Sequence, residues 1–370
     1  MNSGHSRAIA NTCERSQNKL QMIAEMLLLS CEARPLRSCF SSHIVSPSYL
    51  HEKISATVKT IMTLMKAIIA HVHMISTKWL EICEGLQELS STTIGLIELC
   101  SHTAYLVAVD FPGCELAEDG LVDRYSVLLS GLEIKMSCNR LKRARVEDLT
   151  PQLIIDLCSN ISRHISVITD ICRLAGESVT DESTSDQFKL CVKSVTCAAG
   201  CLIASIKSYK SHPSHTHHSR VIVFCEPVLA ASTALVGFAT EDDFTGKQAL
   251  LTSKARDTQK AVLGSCMSIV SAVIQLCKTV RDLVYDVMKT QHREKLHLCT
   301  DSVERASSRL HDTLEQHSIS ERALELCKVK NDEENSKNEV DEHCDSYHSD
   351  STSTSTVSGS ENSGNSMASR

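Results

Sequence analysis

His212, His215, His217 and His218 fall within one short stretch, a density that suggests metal ligation. A closed zinc site needs four ligands held tetrahedrally, and this Pro- and Ser-containing segment has no paired cysteines beside it to preset that geometry. The stretch therefore reads as an exposed loop. Cys197 and Cys201, in Cys-Ala-Ala-Gly-Cys, stand one helical turn apart. Without a second pair at ligand spacing, they read as thiols beside a core. Thr245-Gly-Lys247 lacks the upstream glycine of a phosphate loop, and neither a nucleophile elbow nor a dinucleotide fingerprint occurs. Glu81, Glu84 and Glu88 have the spacing of a solvated helix face. The expectation is a chain that is not an enzyme and needs no cofactor or metal.

Two other sets suggest contact with macromolecules. In Arg220-Val-Ile-Val-Phe224, four successive apolar residues cannot share one helical stripe, because neighbours are rotated by about 100°. If Val221 and Val228 point inward, Ile222 or Phe224 is left near the surface, where a large apolar side chain invites a partner. The second set is cationic: Lys247, Lys254, Arg256 and Lys260, then Arg293, Lys295, Arg305 and Arg309, interleaved with Asp257, Glu294 and Glu304. A denser run, Arg140, Lys142, Arg143 and Arg145, also suits the negative end of a helix dipole.

The elements that position these residues are long helices. With 13 glycines, 6 prolines and 4% aromatics in 370 residues, the chain lacks the turns of a sandwich or barrel, so the expected class is all-α. Alternating steps of four and three link Val262, Cys266, Ile269, Val273, Leu276, Val280, Leu283 and Val287 into one narrow apolar stripe. The same step links Ile54, Val58, Ile61, Met65, Ile68, Val72 and Ile75, then Ile82, Leu86, Leu89, Thr93, Leu96, Cys100, Thr103 and Val107. A first helix is expected from about Glu14 to Ala33, and a fourth from about Asp119 to Arg145. Thr150-Pro151 caps a fifth. The sixth is expected from about Asp186 to Tyr209, the seventh from about Arg220 to Ala239, the eighth up to about Lys289, and the ninth from about Gln291 to Ser318 or Cys327.

Charge is uneven. After Val329, nine acids face three cations, so residues 330–370 carry −6 of the total −7. This acidic, Ser/Thr-rich tail is expected to be disordered. The near-neutral remainder argues against nucleic acid as a partner. The 18 cysteines fall mostly on apolar helical faces, as reduced thiols of a cytoplasmic protein. The longest uncharged apolar run, Ala261 to Cys277, is too short for a spanning helix, so no membrane insertion is expected.

Several segments together resemble the talin-rod helical-bundle family. They are Leu27 to Pro35, Ala104 to Val109, Leu121-Val-Asp-Arg-Tyr125, Thr150-Pro-Gln-Leu153, Phe188-Lys-Leu190, Ala234-Leu-Val-Gly-Phe-Ala-Thr240, Leu263 to Val273 and His292-Arg-Glu-Lys-Leu296. The resemblance implies nine helices, with a four-helix bundle (residues 118–240) inserted into a discontinuous five-helix bundle (14–113 and 243–327). It further implies a cytoskeletal protein that binds filamentous actin, homodimerises through the insert and so bundles filaments. Arg220, Ile222 and Phe224 are then candidate dimer contacts. Lys247, Lys254, Arg256, Lys260, Arg293, Lys295, Arg305 and Arg309 are candidate actin contacts, since an acidic filament calls for a basic surface. The alternative is an adaptor whose bundle captures amphipathic helices of adhesion or signalling proteins, with little direct actin contact.

Overall fold

The computed structural model describes residues 3–36, 47–72, 78–146, 149–286 and 290–316. The tail, Ile75, Val287 and the extension towards Cys327 lie outside them. Among the described residues the chain is helical: α1 Ser3–Ala24, continued by a π-helical turn Glu25–Leu29, α2 Pro47–Val72, α3 Trp79–Val109, α4 Arg124–Arg143, α5 Pro151–Ser178, α6 Glu182–Ser211, α7 His215–Ala239, the single turn α8 Asp242–Thr245, α9 Ser253–Tyr285 and α10 Thr290–Gln316.

Helix starts follow their caps. Thr150 Oγ1 accepts from Leu153 N, with Pro151 opening α5 as expected. Four starts differ from the sequence reading. α6 begins at Glu182 rather than near Asp186, where Asp181 accepts from Thr184 N. α1 begins at Ser3 rather than near Glu14, because Ile9 and Cys13 extend the buried stripe of Leu20 and Ile23. α4 begins at Arg124 rather than near Asp119, where Asp123 accepts from Ser126 N. α7 begins at His215 rather than near Arg220, capped by Ser214, so most of the expected His-rich loop is helix.

Packing divides these helices into two sets. α4 packs on α5 and α7, and α6 packs on α5 and α7, closing a four-helix bundle. Its core includes Ile134, Ile161, Ile168, Leu202, Val228 and Leu235. Phe244 of α8 plugs one end, its ring 5.0 Å from Phe188 and 5.2 Å from Phe238. Around it in sequence, α1 packs on α3 and α9, α3 on α2 and α9, and α10 on α9 and α2. This is a four-helix bundle inserted into a five-helix one.

The expected stripes are inward wherever described: Ile54 to Val72 on α2, Ile82 to Val107 on α3 and Val262 to Leu283 on α9 are buried. Small side chains let the helices approach closely. Cys100 on α3 and Cys266 on α9 are fully buried, as are Cys138 on α4 and Cys225 on α7.

Candidate functional site

Two chain crossings join the bundles, and they pair with each other. Glu115 N donates to Leu250 O, Glu118 N to Lys247 O and Val122 N to Phe244 O, at 2.9 to 3.0 Å. The segment after α1 clamps this joint. Arg34 Nη1 donates to the carbonyls of Thr245 and Gly246, Glu32 pairs with Arg124 at 2.8 Å, and Ala249 N donates to Ala33 O. Lys19 on α1 pairs with Glu133 on α4 at 2.5 Å, and Tyr125 O–H donates to Glu98 at 2.7 Å. Burial pushes the Glu133 carboxyl up, but the Lys19 charge and hydrogen bonds from Lys19 and Asn160 outweigh it and hold the carboxyl below its usual range. A cavity of about 220 Å³ lies in the joint, lined by Glu32, Arg34, Asp123, Arg124 and Tyr125. Each of these five side chains already serves a pair or a cap, so the joint fixes geometry rather than presenting reactive groups.

The dimer candidates on α7 fall differently from expectation. Val221 and Val228 do point inward. Phe224 nevertheless packs half-buried against the four-helix core, Ile222 is half-buried, Arg220 is exposed, and the residue left outside is Val223, 62% exposed. Val223 heads a seam that sequence reasoning missed. Val223, Pro227, Ala230, Ala234 and Gly237 keep the four-three step, and all are exposed. On the neighbouring α6, Leu190, Cys197, Cys201 and Ala204 form a second uncharged, exposed row. Gly200 and Gly237 open onto free space, so another backbone can approach there. The available signal was a second apolar stripe on the side of α7 opposite its core stripe.

Hydropathy reports the same feature. α3, α6, α7 and α9 are each long and apolar enough to cross a membrane by length and composition, a property the sequence reading assigned to none. In α3 the apolar window is 78% buried and so belongs to the core. In α6 and α7 it is only 28% buried.

All eight cationic candidates are exposed, but they do not share one face. Lys247 pairs with Glu118 at 3.0 Å, and Lys254 lies over the Phe111 ring at 5.6 Å. Lys254 points about 160° away from Arg256, whereas Arg256 and Lys260 lie about 40° apart. On α10, Lys295, Arg305 and Arg309 occupy a sector of about 80°, and Arg293 points away from it. The same sector contains Leu298, 58% exposed, which sequence reasoning also missed. In the run at the end of α4, Lys142 is held by Glu226.

His217 Nδ1 is 2.8 Å from the capping Ser214 hydroxyl, and the His212 and His217 rings are 6.4 Å apart. Among the described residues, no group of three or more His, Cys, Asp or Glu side chains is arranged to hold a metal ion.

Comparison with known proteins places the four-helix bundle. A family pattern described as the Talin IBS2B domain matches residues 122–242, from the start of α4 to the first residue of α8. The four-helix bundle is thus similar to a domain of talin. Talin-2 of Mus musculus is 23% identical over 201 residues, Talin-1 of Gallus gallus 24% over 208, and Talin of Oscarella pearsei 23% over 244. These matches cover 54%, 56% and 64% of this chain and 8%, 8% and 9% of the respective relatives. The chain thus spans less than a tenth of the curated relatives it matches. The aligned lengths exceed the 122–242 segment, so the likeness extends beyond it into flanking sequence.

Proposed function

We propose that this protein is a non-catalytic actin-filament-binding protein of the cytoplasm that homodimerises through its inserted four-helix bundle and so crosslinks filaments. The observation that carries the reading is the exposed apolar side of α7. A helix apolar on all sides is normally enclosed, and α7 is apolar in this way yet largely uncovered. A second copy of the same face, uncharged and lined with Ala and Gly, would cover it isologously.

Filament contact is assigned to the Lys295, Leu298, Arg305 and Arg309 face of α10, with Arg256 and Lys260 of α9 as the second cationic group. Support comes from the resemblance and from cations that form no ion pair among the described residues. The mechanism is multivalency. One weak filament site per subunit, tethered in a dimer, gains effective concentration for a second filament, so a monomer binds but does not bundle.

Light scattering combined with low-speed and high-speed actin cosedimentation tests this. The wild-type chain is expected at dimeric mass, with actin in the low-speed pellet. Val223→Asp combined with Ala234→Asp should give a monomer that pellets with filaments only at high speed. A proven monomer that still bundles removes the dimer mechanism, and a wild-type chain that fails to pellet with actin removes the filament reading. The small-residue seam also fits the alternative of an adaptor capturing an amphipathic helix from an adhesion or signalling protein. Such capture would resist added salt, whereas binding through α10 would weaken with it.

A further inference from the structure

At the edge of the five-helix bundle, His51 in the first turns of α2 meets His311 near the end of α10. His51 Nε2 and His311 Nδ1 are 2.8 Å apart, and the rings are nearly perpendicular at 85°. The other nitrogen of His311, Nε2, lies 3.1 Å from Oε1 of Glu315, one turn further along α10. Two imidazole nitrogens at this separation share one proton. Glu315 accepts from His311 Nε2–H, which leaves His311 Nδ1 as a bare lone pair aimed at His51. When His51 takes the tautomer with its proton on Nδ1, two nitrogen lone pairs from different helices converge on one point.

That is the donor arrangement of a transition-metal ion. Metal–nitrogen bonds of about 2.0–2.1 Å at a tetrahedral angle put two ligand nitrogens about 3.3 Å apart. The observed separation therefore has to open by only about half an ångström, a ring rotation for two side chains at the surface. Glu315 already holds the position of the carboxylate that usually orients a ligating imidazole through its second nitrogen. An imidazole pair favours ions such as Zn²⁺, Ni²⁺ and Cu²⁺ over Ca²⁺ or Mg²⁺, which prefer oxygen. Among the described residues no third protein ligand is grouped with these two, and water would complete the coordination.

We propose that His51 and His311, oriented by Glu315, bind a divalent transition-metal ion that clips the start of α2 to the end of α10. Binding takes both imidazoles as neutral ligands: the proton of His51 moves from Nε2 to Nδ1, and His311 keeps its proton on Nε2 towards Glu315. The clip holds the outer end of α10, a helix otherwise fastened by packing on α9 and α2.

Hydrogen exchange of the full chain with and without NiCl₂ tests the site by location. Ni²⁺ should slow exchange in the first turns of α2 and the last turns of α10. His51→Gln and His311→Gln should each abolish this protection while leaving exchange without metal unchanged. His215→Gln combined with His217→Gln, a separate cluster on α7, should leave it intact. Glu315→Gln should weaken the Ni²⁺ dependence roughly 10- to 100-fold. Absence of protection in the wild-type chain, or its persistence in both the His51 and His311 variants, overturns the proposal.

Discussion

Gly120 and Gly246 face each other where the two crossings between the bundles pair. A Cβ added to either would clash with the backbone of the opposite strand: Phe244 and Thr245 for Gly120, Glu118 and Asp119 for Gly246. Gly246 also has φ +69° and ψ −177°, a region open essentially to glycine alone. Two rigid bundles are joined here through mutual contact of two residues without side chains. Gly246→Ala should therefore lower stability by about 1–3 kcal/mol from backbone strain alone, before the clash is counted. Gly264→Ala, on α9 with open space around it, should be neutral or stabilising. Urea unfolding midpoints of the two variants check the contrast.

On α7, adjacent residues should separate folding from assembly. Phe224 is packed against the four-helix core, so Phe224→Asp should cost about 3 kcal/mol or more and is unsuitable as a probe of dimerisation. Val223→Asp places its charge in solvent and should change monomer stability by less than about 0.5 kcal/mol. Thermal unfolding and light scattering on the two variants should show the first unstable and the second stable and less dimeric.

The cationic face of α10 predicts an asymmetric response to charge reversal. Lys295→Glu together with Arg305→Glu inverts one sector and should reduce filament cosedimentation at least tenfold. Arg293→Glu, on another side of the helix, should reduce it much less. Raising salt from about 50 to about 200 mM should diminish wild-type binding, because exposed charges are screened beyond a Debye length.

His102 makes stability depend on pH. Burial pushes its pKa from 6.5 down to about 4, and its Nδ1 accepts a hydrogen bond from Leu36 N at 3.3 Å. Between these two values the unfolded chain takes up a proton that the folded ring refuses. The contribution is complete above about pH 6.5, declines as the pH falls, and levels off below about pH 4 at a loss of about 3 kcal/mol. Urea midpoints measured between about pH 7 and about pH 4 should fall along this course, and His102→Gln should remove that part of the slope.

Thiol reactivity should follow burial. Cys197 and Cys201 are exposed on α6, whereas burial pushes the Cys172 and Cys277 thiols up to about 12 and Cys299 up to about 11. Alkylation of the native protein near neutral pH, read by peptide mapping, should label Cys197 and Cys201 well before these three. If the α6–α7 face is covered in the dimer, their labelling should quicken in the Val223→Asp, Ala234→Asp variant.

Much of the fold was legible in the residue order. The stripe from Val262 to Leu283 is inward along α9, and Thr150 and Pro151 open α5, because side-chain periodicity and caps act within a turn or two. The starts of α1 and α7 were missed: polar first turns such as His215-Thr-His-His218 show little apolar periodicity. Inverse problems arose on the surface. The sequence showed that the apolar residues from Val221 to Phe224 could not all be inward, but not that Val223 would be the one left outside. Nor did it show Leu298 amid the α10 cations, Gly120 against Gly246, or His51 beside His311 across 260 positions. The sequence by itself determined helices, their core stripes and the likeness to a talin rod, all local or summed over local pattern. Tertiary structure decided the rotation of each helix and the meetings of distant residues, because these follow from the close packing of all neighbouring helices at once.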